Sequence, residues 1–522
     1  MSEARETPSG SLRRNAIANV TGRSASVLVW VVLTPLVLSR LGQERFAVWS
    51  LFLGLGGNVA SLDLGMASGV GRYVALATAR GDRANLILVL RRSLALSAGV
   101  GLLWCIACIM GRGLLISMFH VPPALQSEVS RSLVVFALSM FAYSLTQVLH
   151  GALAGFQRLD QANICYLSGL ALHATTLVVG LTAGAGLIAV AVAAIGGHAL
   201  SGLLAAMLVR RSLRQMPVSD VSTPVTWREI LRFGGSVQGT AACSMGQHQS
   251  WNYLLGILGQ LRWVTQFSLG FRVANAVWSL PSLVQGAVIP AAAHASAHGD
   301  RDRVRTVYDW ACRWIFLLGG LSLAGLWLMA PALLVLWLGP TKGVSLAGSV
   351  AITRLLAITF AIATMAGPAT AVARGGGWPL LETWFFGLAL ICNVSLSLWL
   401  IPRFGPAGAA IAMGTSYTIS GIWLISSVHR LLRVVTLNWL LKLVLPRFAL
   451  PALAAAGVAL LWKFGEPATR LEALRIVLLQ GGAYLLVVVA LLWPTGDPAA
   501  LVGRLRSRRR AAEHSAPEGL QP

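Results

Sequence analysis

The sequence has few charged residues and very few acidic ones. Of its 522 residues, 11% are charged and 56% are hydrophobic, whereas a soluble globular protein carries roughly 25% charged residues. A water-soluble enzyme of this length is therefore excluded, because its surface would need more charge. The apolar residues form long uninterrupted blocks, each about the 20 residues that a helix needs to cross the hydrocarbon layer. These blocks predict an all-α polytopic membrane protein.

The shortage of acidic residues leaves a strongly basic chain, with 18 Asp and Glu against 41 Lys and Arg and a net charge of +23. In a membrane protein, basic residues gather in the cytoplasmic loops and set the orientation. Here 27 of them fall in loops on one face and ten on the other. The asymmetry predicts a membrane protein with both termini in the cytoplasm and basic loops against membrane lipid. No segment combines a basic patch with a recognisable nucleic-acid-binding fold, so we expect no nucleic-acid partner.

Motifs for catalysis and cofactor binding are also absent. The sequence contains no GxxxxGK[ST], no HExxH and no pair of carboxylates at helical spacing inside a span. Its six cysteines lie in or beside apolar stretches, and Cys105 and Cys108 have no second Cys or His cluster near them. We therefore expect no enzymatic activity, no cofactor and no metal site. Without an ATP site, active transport would have to use an ion gradient or the gradient of the substrate.

The apolar blocks indicate about fourteen transmembrane helices. The spans are predicted near residues 16–39, 46–70, 93–118, 131–155, 162–184, 186–209, 230–258, 264–293, 310–338, 345–373, 379–401, 405–428, 441–462 and 473–493.

An internal repeat runs through this series of spans. Four short segments return in the same order at offsets of 217 to 219 residues: LGQERF at 41–46 and LGQLRW at 258–263, ARGDR at 79–83 and AHGDR at 297–301, GLAL at 169–172 and at 387–390, and SG at 201–202 and at 420–421. The offset covers an even number of spans, so the repeats are parallel. The repeat predicts two six-helix lobes with a cavity between them.

The predicted domains are an N-terminal lobe (12–212), a C-terminal lobe (226–434), an extra helix pair (435–494) and a basic, disordered cytoplasmic tail (495–522). Rocking of the two lobes would give alternating access.

Ionisable residues inside the spans are the first candidates for substrate binding. Arg23 and Asp63 are predicted about 13 Å from the cytoplasmic boundary of neighbouring spans. They form either a neutralising ion pair or a cavity site in which Arg23 binds a diphosphate and Asp63 positions it or takes a proton. Arg272 and Arg354 have no evident carboxylate at matching depth in the sequence. Their predicted environment is a water-filled, electropositive cavity that takes an anionic substrate.

Histidine and amide side chains supply further candidates. The seventh span contains Gln247, His248 and Asn252, which would be costly against lipid and are therefore predicted to line a cavity or an interior. For His248, a satisfied interior position is an equally good interpretation. We interpret His150, His173 and His198 as packing or helix–helix hydrogen-bonding residues.

Several segments resemble the Wzx-type polysaccharide flippases. The segment LGQERFAVW at 41–49 is similar to the one that follows the first span of these proteins. LDLG at 62–65 with RYVA at 72–75 is similar to their next element, and IPAA at 289–292 before Gly299 and Asp300 resembles the element after their eighth span. Phe46 and Ala47 depart from the family's Tyr-Gly, and among cavity residues only Asp63 corresponds.

The resemblance implies a member of the multidrug/oligosaccharidyl-lipid/polysaccharide (MOP) exporter superfamily. It implies that undecaprenyl-diphosphate-linked oligosaccharide is flipped across the bacterial inner membrane for O-antigen, capsule or exopolysaccharide synthesis. A polysaccharide polymerase and a chain-length regulator would be the partners. Two alternatives stay open. A cation-coupled multidrug exporter of the same fold would need acidic cavity residues, and a membrane-embedded glycosyltransferase or ligase of the same pathway would need a large extracytoplasmic loop.

Overall fold

The computed structural model describes residues 8–62, 66–216, 226–339, 346–462, 465 and 467–492. Within these ranges, the side chains of 8–21, 23, 24, 57–62, 66–68 and 227–238 lie outside the description. All regular structure in the described part is helical, as the apolar blocks predict.

The helices, numbered in chain order, are α1 (Pro8–Leu62), α2 (Met66–Arg80), α3 (Arg83–Met110), α4 (Arg112–Met118), α5 (Pro123–Gly155), α6 (Leu159–Thr182), α7 (Leu187–Gln215), α8 (Trp227–Leu258), α9 (Leu261–Ala297), α10 (Arg301–Leu338), α11 (Ala347–Gly375), α12 (Pro379–Phe404), α13 (Pro406–Leu432), α14 (Thr436–Leu461) and α15 (Arg470–Leu492).

Twelve segments of the described chain are long and apolar enough to cross a membrane, which makes this a multi-pass membrane protein. The predicted number of fourteen is not confirmed, and the difference has two sources. The first predicted span and most of the second correspond to the two limbs of α1, which meet at a kink at Gly42 (φ 75°) and count as one segment, Ala25–Gly56. The seventh predicted span corresponds to α8, which carries the polar run 244–252 and is not among the twelve.

Packing divides the chain into two compact units. Among the described residues, the first comprises those within 8–268 and 390–409, and the second comprises those within 269–339, 346–389 and 410–492. The two units are defined by contacts within the chain and do not coincide with the two halves of the sequence repeat. The lobe boundaries therefore stay a prediction.

Each unit has its own apolar core. In the first, helices α2, α3, α5, α6 and α7 meet around Val74, Leu86, Val148, Leu153 and Cys165, all of them buried. In the second, α14 and α15 pack on α10.

The contact of α15 with α10 includes a hydrogen bond in which the Tyr484 hydroxyl donates to the Leu321 carbonyl at 2.8 Å. Because this bond reaches a backbone carbonyl inside the membrane segment, it satisfies the Tyr484 hydroxyl without water. The C-terminal helix pair is thereby attached to the second unit.

Three helix-to-helix turns occur twice along the chain. Gly81 and Gly299 both have φ 68° and are each followed by an Asp that caps the next helix. Gly186 before α7 (φ 61°) corresponds to Gly405 before α13 (φ 58°). Gln157 (φ 60°) corresponds to Gly377 (φ 90°). The offsets of these turns, 218 to 220 residues, agree closely with those of the sequence repeat.

Candidate functional site

A cavity of about 330 Å³ lies within the first unit. Helices α1, α5, α6 and α7 supply most of its wall, and Met245 of α8 contributes one side chain. Three histidines from three helices face it: His150 of α5, His173 of α6 and His198 of α7. Sequence reasoning treated them singly and did not place them together, because no periodicity links residues on different helices.

Each of the three histidines also contacts a neighbouring helix. The Nε2 of His150 lies 3.1 Å from the Oγ of Ser201. The His198 ring meets Tyr143 edge-on at 5.1 Å, and the His173 ring meets Trp30 in the same way at 5.3 Å. The Nε2 of His173 is buried and has no hydrogen-bond partner in the described part of the chain. A bound molecule with a polar group would satisfy this nitrogen.

The remaining lining combines aromatic faces with neutral polar groups. Three of the polar side chains that face this space are Thr146, Gln147 and Tyr166. The Tyr166 hydroxyl also lies 2.8 Å from the Oγ of Ser26. Among the described residues that line the cavity, none is Asp, Glu, Lys or Arg. An isolated cation would lose its hydration there without gaining a counter-charge, whereas a neutral molecule with hydroxyl groups would find both donors and acceptors.

Two glycines allow the cavity-forming helices α6 and α7 to approach closely. A Cβ added at Gly169 would lie 2.5 Å from the carbonyl oxygen of Gly197, and one added at Gly197 would lie 2.9 Å from that of Gly169. Small residues at such crossings permit backbone contact between membrane helices. The spacing of His173 and His198 across the cavity therefore depends on these glycines.

The polar run of α8 lies within the first unit and is buried at four of its residues, Gln247 and 250–252. Gln247 is fully buried, and the buried Asn252 donates from Nδ2 to the Oε1 of Gln249 at 3.0 Å. The buried Asn393 of α12 donates from Nδ2 to the Oγ of Ser250 at 2.8 Å. Sequence reasoning missed Asn393, although an amide within the apolar run 387–400 was a usable signal.

His248, the third candidate on α8, bonds locally. Its Nδ1 lies 3.0 Å from the carbonyl oxygen of Ser244 one turn earlier, and the residue is partly buried. Of the α8 side chains, Met245 lines the cavity described above.

The two arginine candidates of the C-terminal half lie in the second unit. Arg354 of α11 donates from Nε to the carbonyl of Trp327 at 3.3 Å, and its guanidinium stands 5.2 Å over the Trp327 ring. Cation–π contact of this kind stabilises a cation away from carboxylates. Arg272 of α9 is partly buried and also has an interaction partner.

The other predicted pair lies outside the described residues. Asp63 falls between α1 and α2 in an undescribed range, and Arg23 lies in α1 with an undescribed side chain. Their interaction stays a prediction. Among the described residues, no group of His, Cys, Asp and Glu is arranged to hold a metal ion.

A family model described as MatE matches residues 22–179. This range runs from within α1 to within α6 and so includes parts or all of three helices that form the cavity. No match is found among curated proteins.

Solved structures share the fold over most of the chain. An inward-facing multidrug resistance MATE family transporter of the MOP superfamily is 17% identical, with a TM-score of 0.65, and the match covers 78% of this chain and 96% of that one. A MOP superfamily transporter from Pyrococcus furiosus, described as having a binding pocket of reverse polarity, is 18% identical, with a TM-score of 0.61 and coverages of 82% and 97%.

The lipid II flippase MurJ, in an inward closed conformation, is 14% identical, with a TM-score of 0.69, and the match covers 93% of this chain and 99% of that one. At sequence identities of 14% to 18%, the similarity shows a shared fold and nothing more. The chain therefore has the fold shared by the MATE transporters and the MurJ flippase.

Proposed function

We propose that this chain is a MOP-type transporter that flips undecaprenyl-diphosphate-linked oligosaccharide across the bacterial inner membrane by alternating access. The observation that carries the proposal is the lining of the cavity in the first unit. Histidine, tyrosine, glutamine and hydroxyl side chains without a lining carboxylate suit the neutral hydroxyl groups of a sugar. Tyr143 and Trp30 add aromatic faces against which the apolar side of a sugar ring can pack.

The extent of the structural likeness gives further support. The match to MurJ covers 93% of this chain, against 78% and 82% for the other two transporters. Of these three structures, the one with the longest match is that of a lipid II flippase. The proposed architecture of this transporter has fourteen spans with both termini in the cytoplasm. They form two lobes, at 12–212 and 226–434, and an extra helix pair at 435–494.

The charged part of the substrate requires basic residues. We assign this role to Arg272 and Arg354, and to Arg23 with Asp63 positioning it or taking a proton, because arginine binds phosphate through charge-assisted, bidentate hydrogen bonds. A polymerase and a chain-length regulator of the same polysaccharide would be the functional partners.

The second candidate function is export of cationic drugs. The MatE match over 22–179 and the MATE structures favour it. Against it stands the cavity lining, which offers no carboxylate among its described residues.

Reconstituted vesicles separate the two functions. The purified full chain is placed in liposomes with a fluorescent polyprenyl-diphosphate oligosaccharide, and the probe accessible to a membrane-impermeant quencher is measured over time. A parallel sample tests uptake of a cationic dye. Accelerated exchange of the lipid-linked sugar without dye uptake supports the flippase, whereas dye uptake without lipid exchange would establish the exporter instead.

A further inference from the structure

A second cavity of the first unit differs from the first in having charged residues in its lining. It has a volume of about 690 Å³ and lies where the break in α1, the start of α5, the end of α6 and the start of α7 come together. Three arginines and one glutamate line it: Arg40, Arg45, Arg131 and Glu128. Its position at helix ends, on the face with fewer basic loop residues, predicts that it opens at the extracytoplasmic boundary of the membrane.

Both oxygens of the single carboxylate of this cavity accept structural hydrogen bonds. One oxygen of Glu128 accepts from the Nε of Arg45 at 2.9 Å. The other accepts from the backbone N–H of Leu187, the first residue of α7, also at 2.9 Å. Glu128 thus joins α1, α5 and α7, and Arg45 is its ionic partner.

The other two arginines have no carboxylate partner in the described part of the chain. Arg131 donates from Nε to the Ser127 carbonyl at 3.3 Å, which leaves its two terminal nitrogens available. Arg40 is exposed and has no ionic partner there. Two guanidinium groups therefore face the cavity with most of their N–H donors free.

The equivalent corner of the second repeat shows that the fold does not require these charges. A Cβ added at Gly186 would collide with the Glu128 carboxylate, whereas one added at Gly405 would lie 3.3 Å from the Trp263 indole. The same turn geometry therefore forms beside a carboxylate in one repeat and beside an indole in the other. The charges of the first repeat have to be explained by something other than the turn.

We propose that this cavity, which we call the outer arginine cavity, binds the phosphate groups of a lipid headgroup through Arg40 and Arg131. Guanidinium groups bind phosphate oxygens bidentately and with charge assistance. Lipid phosphates are the anions available at the membrane boundary, and the cavity is large enough for a headgroup. The inference rests on these arginines and does not require the proposed transport function.

The test uses the full chain in detergent, titrated separately with polyprenyl diphosphate, phosphatidylglycerol and inorganic diphosphate, with bound ligand counted by native mass spectrometry. We expect the double variant Arg40→Ala, Arg131→Ala to bind the lipids about tenfold more weakly or worse, because two charged hydrogen-bonding groups are lost. Arg112→Ala is the matched control, since Arg112 is exposed on the same face but outside the cavity.

Glu128→Gln gives an opposite readout that a purely structural role would not produce. It removes the competing negative charge while a side-chain oxygen can still accept from Leu187, so the affinity for lipid phosphate should rise. Unchanged affinity in the double variant, equal loss in Arg112→Ala, or binding of inorganic diphosphate alone would overturn the proposal. If thermal unfolding shows that the double variant is not cooperatively folded, the single variant Arg40→Gln is used in its place.

The two lipids identify the source of the phosphate. Loss of polyprenyl diphosphate binding in the double variant assigns the cavity to a carrier lipid, and loss of phosphatidylglycerol binding assigns it to a bulk phospholipid. Because lipid exchange in vesicles is measured separately, failure of this site and failure of the flippase proposal are distinguishable.

Discussion

Asn393 of α12 donates a hydrogen bond from its Nδ2 to the Oγ of Ser250 on α8, and the two residues are 143 positions apart. Both side chains are buried, at 2% and 7% exposure. The bond explains how the polar run of α8 is accommodated, since an amide from another helix meets it within the protein. Polar contacts of this type link membrane helices with modest energy.

Replacing Asn393 by Ala should lower the free energy of unfolding by about 0.6 kcal/mol and by no more than about 1.7 kcal/mol. The reason is the loss of one buried side-chain bond between α8 and α12. The measurement is denaturation of the purified chain in mild detergent, as a double-mutant cycle with Ser250→Ala. Fully additive effects of the two substitutions would show that the bond contributes nothing.

Replacing His173 by Ala should weaken binding of a lipid-linked oligosaccharide by about five- to thirtyfold, corresponding to about 1–2 kcal/mol for a buried ligand hydrogen bond. The Nε2 of this histidine is buried at the cavity without a partner in the described chain. Substrate affinity is measured in detergent, with His298→Ala as control, because His298 is exposed and outside the cavity. Wild-type affinity of His173→Ala would remove this residue from the site.

Replacing Gly169 by Ala should destabilise the protein by about 1–3 kcal/mol, because the new methyl group meets the Gly197 carbonyl and forces α6 and α7 apart. Gly196→Ala is the matched control. The nearest atom to a Cβ there is a Leu172 methyl at 3.8 Å, an ordinary contact. Midpoints of thermal unfolding compare the two variants, and equal midpoints would disprove the close-approach argument.

Replacing Arg272 or Arg354 by Ala should leave membrane insertion normal and reduce polymer export strongly, because each removes a guanidinium assigned to the substrate diphosphate. Lys should restore part of the activity at Arg354, since it keeps the charge but not the planar contact with Trp327. Export is measured in cells that lack the wild-type gene, with protein levels checked by immunoblot. Export at the wild-type rate by both alanine variants would refute the assignment.

The helical fold and most span positions could be predicted from the sequence, because long apolar blocks have few other structural solutions in a membrane. The number of spans was harder to predict. The apolar blocks on either side of Gly42 predict two spans, whereas the two limbs of α1 meet at that residue and count as one segment, Ala25–Gly56.

The site was predicted less completely. A polar α8 was expected from Gln247 and Asn252, and their burial follows from the cost of exposing amides to lipid. The meeting of His150, His173 and His198 could not be predicted, since it depends on how α5, α6 and α7 pack. Glu128 carried no sequence signal either, because its partners Arg45 and Leu187 are distant along the chain.

The recurring turns have a consequence for the history of the chain. At one of them the first half has Gln157 at φ 60°, whereas the second half has Gly377 at φ 90°. A side chain in the left-handed region costs about 1–2 kcal/mol, so the first half retains the backbone conformation with the less suitable residue. If the halves arose by duplication, the backbone conformation of this turn was kept while the residue that forms it changed.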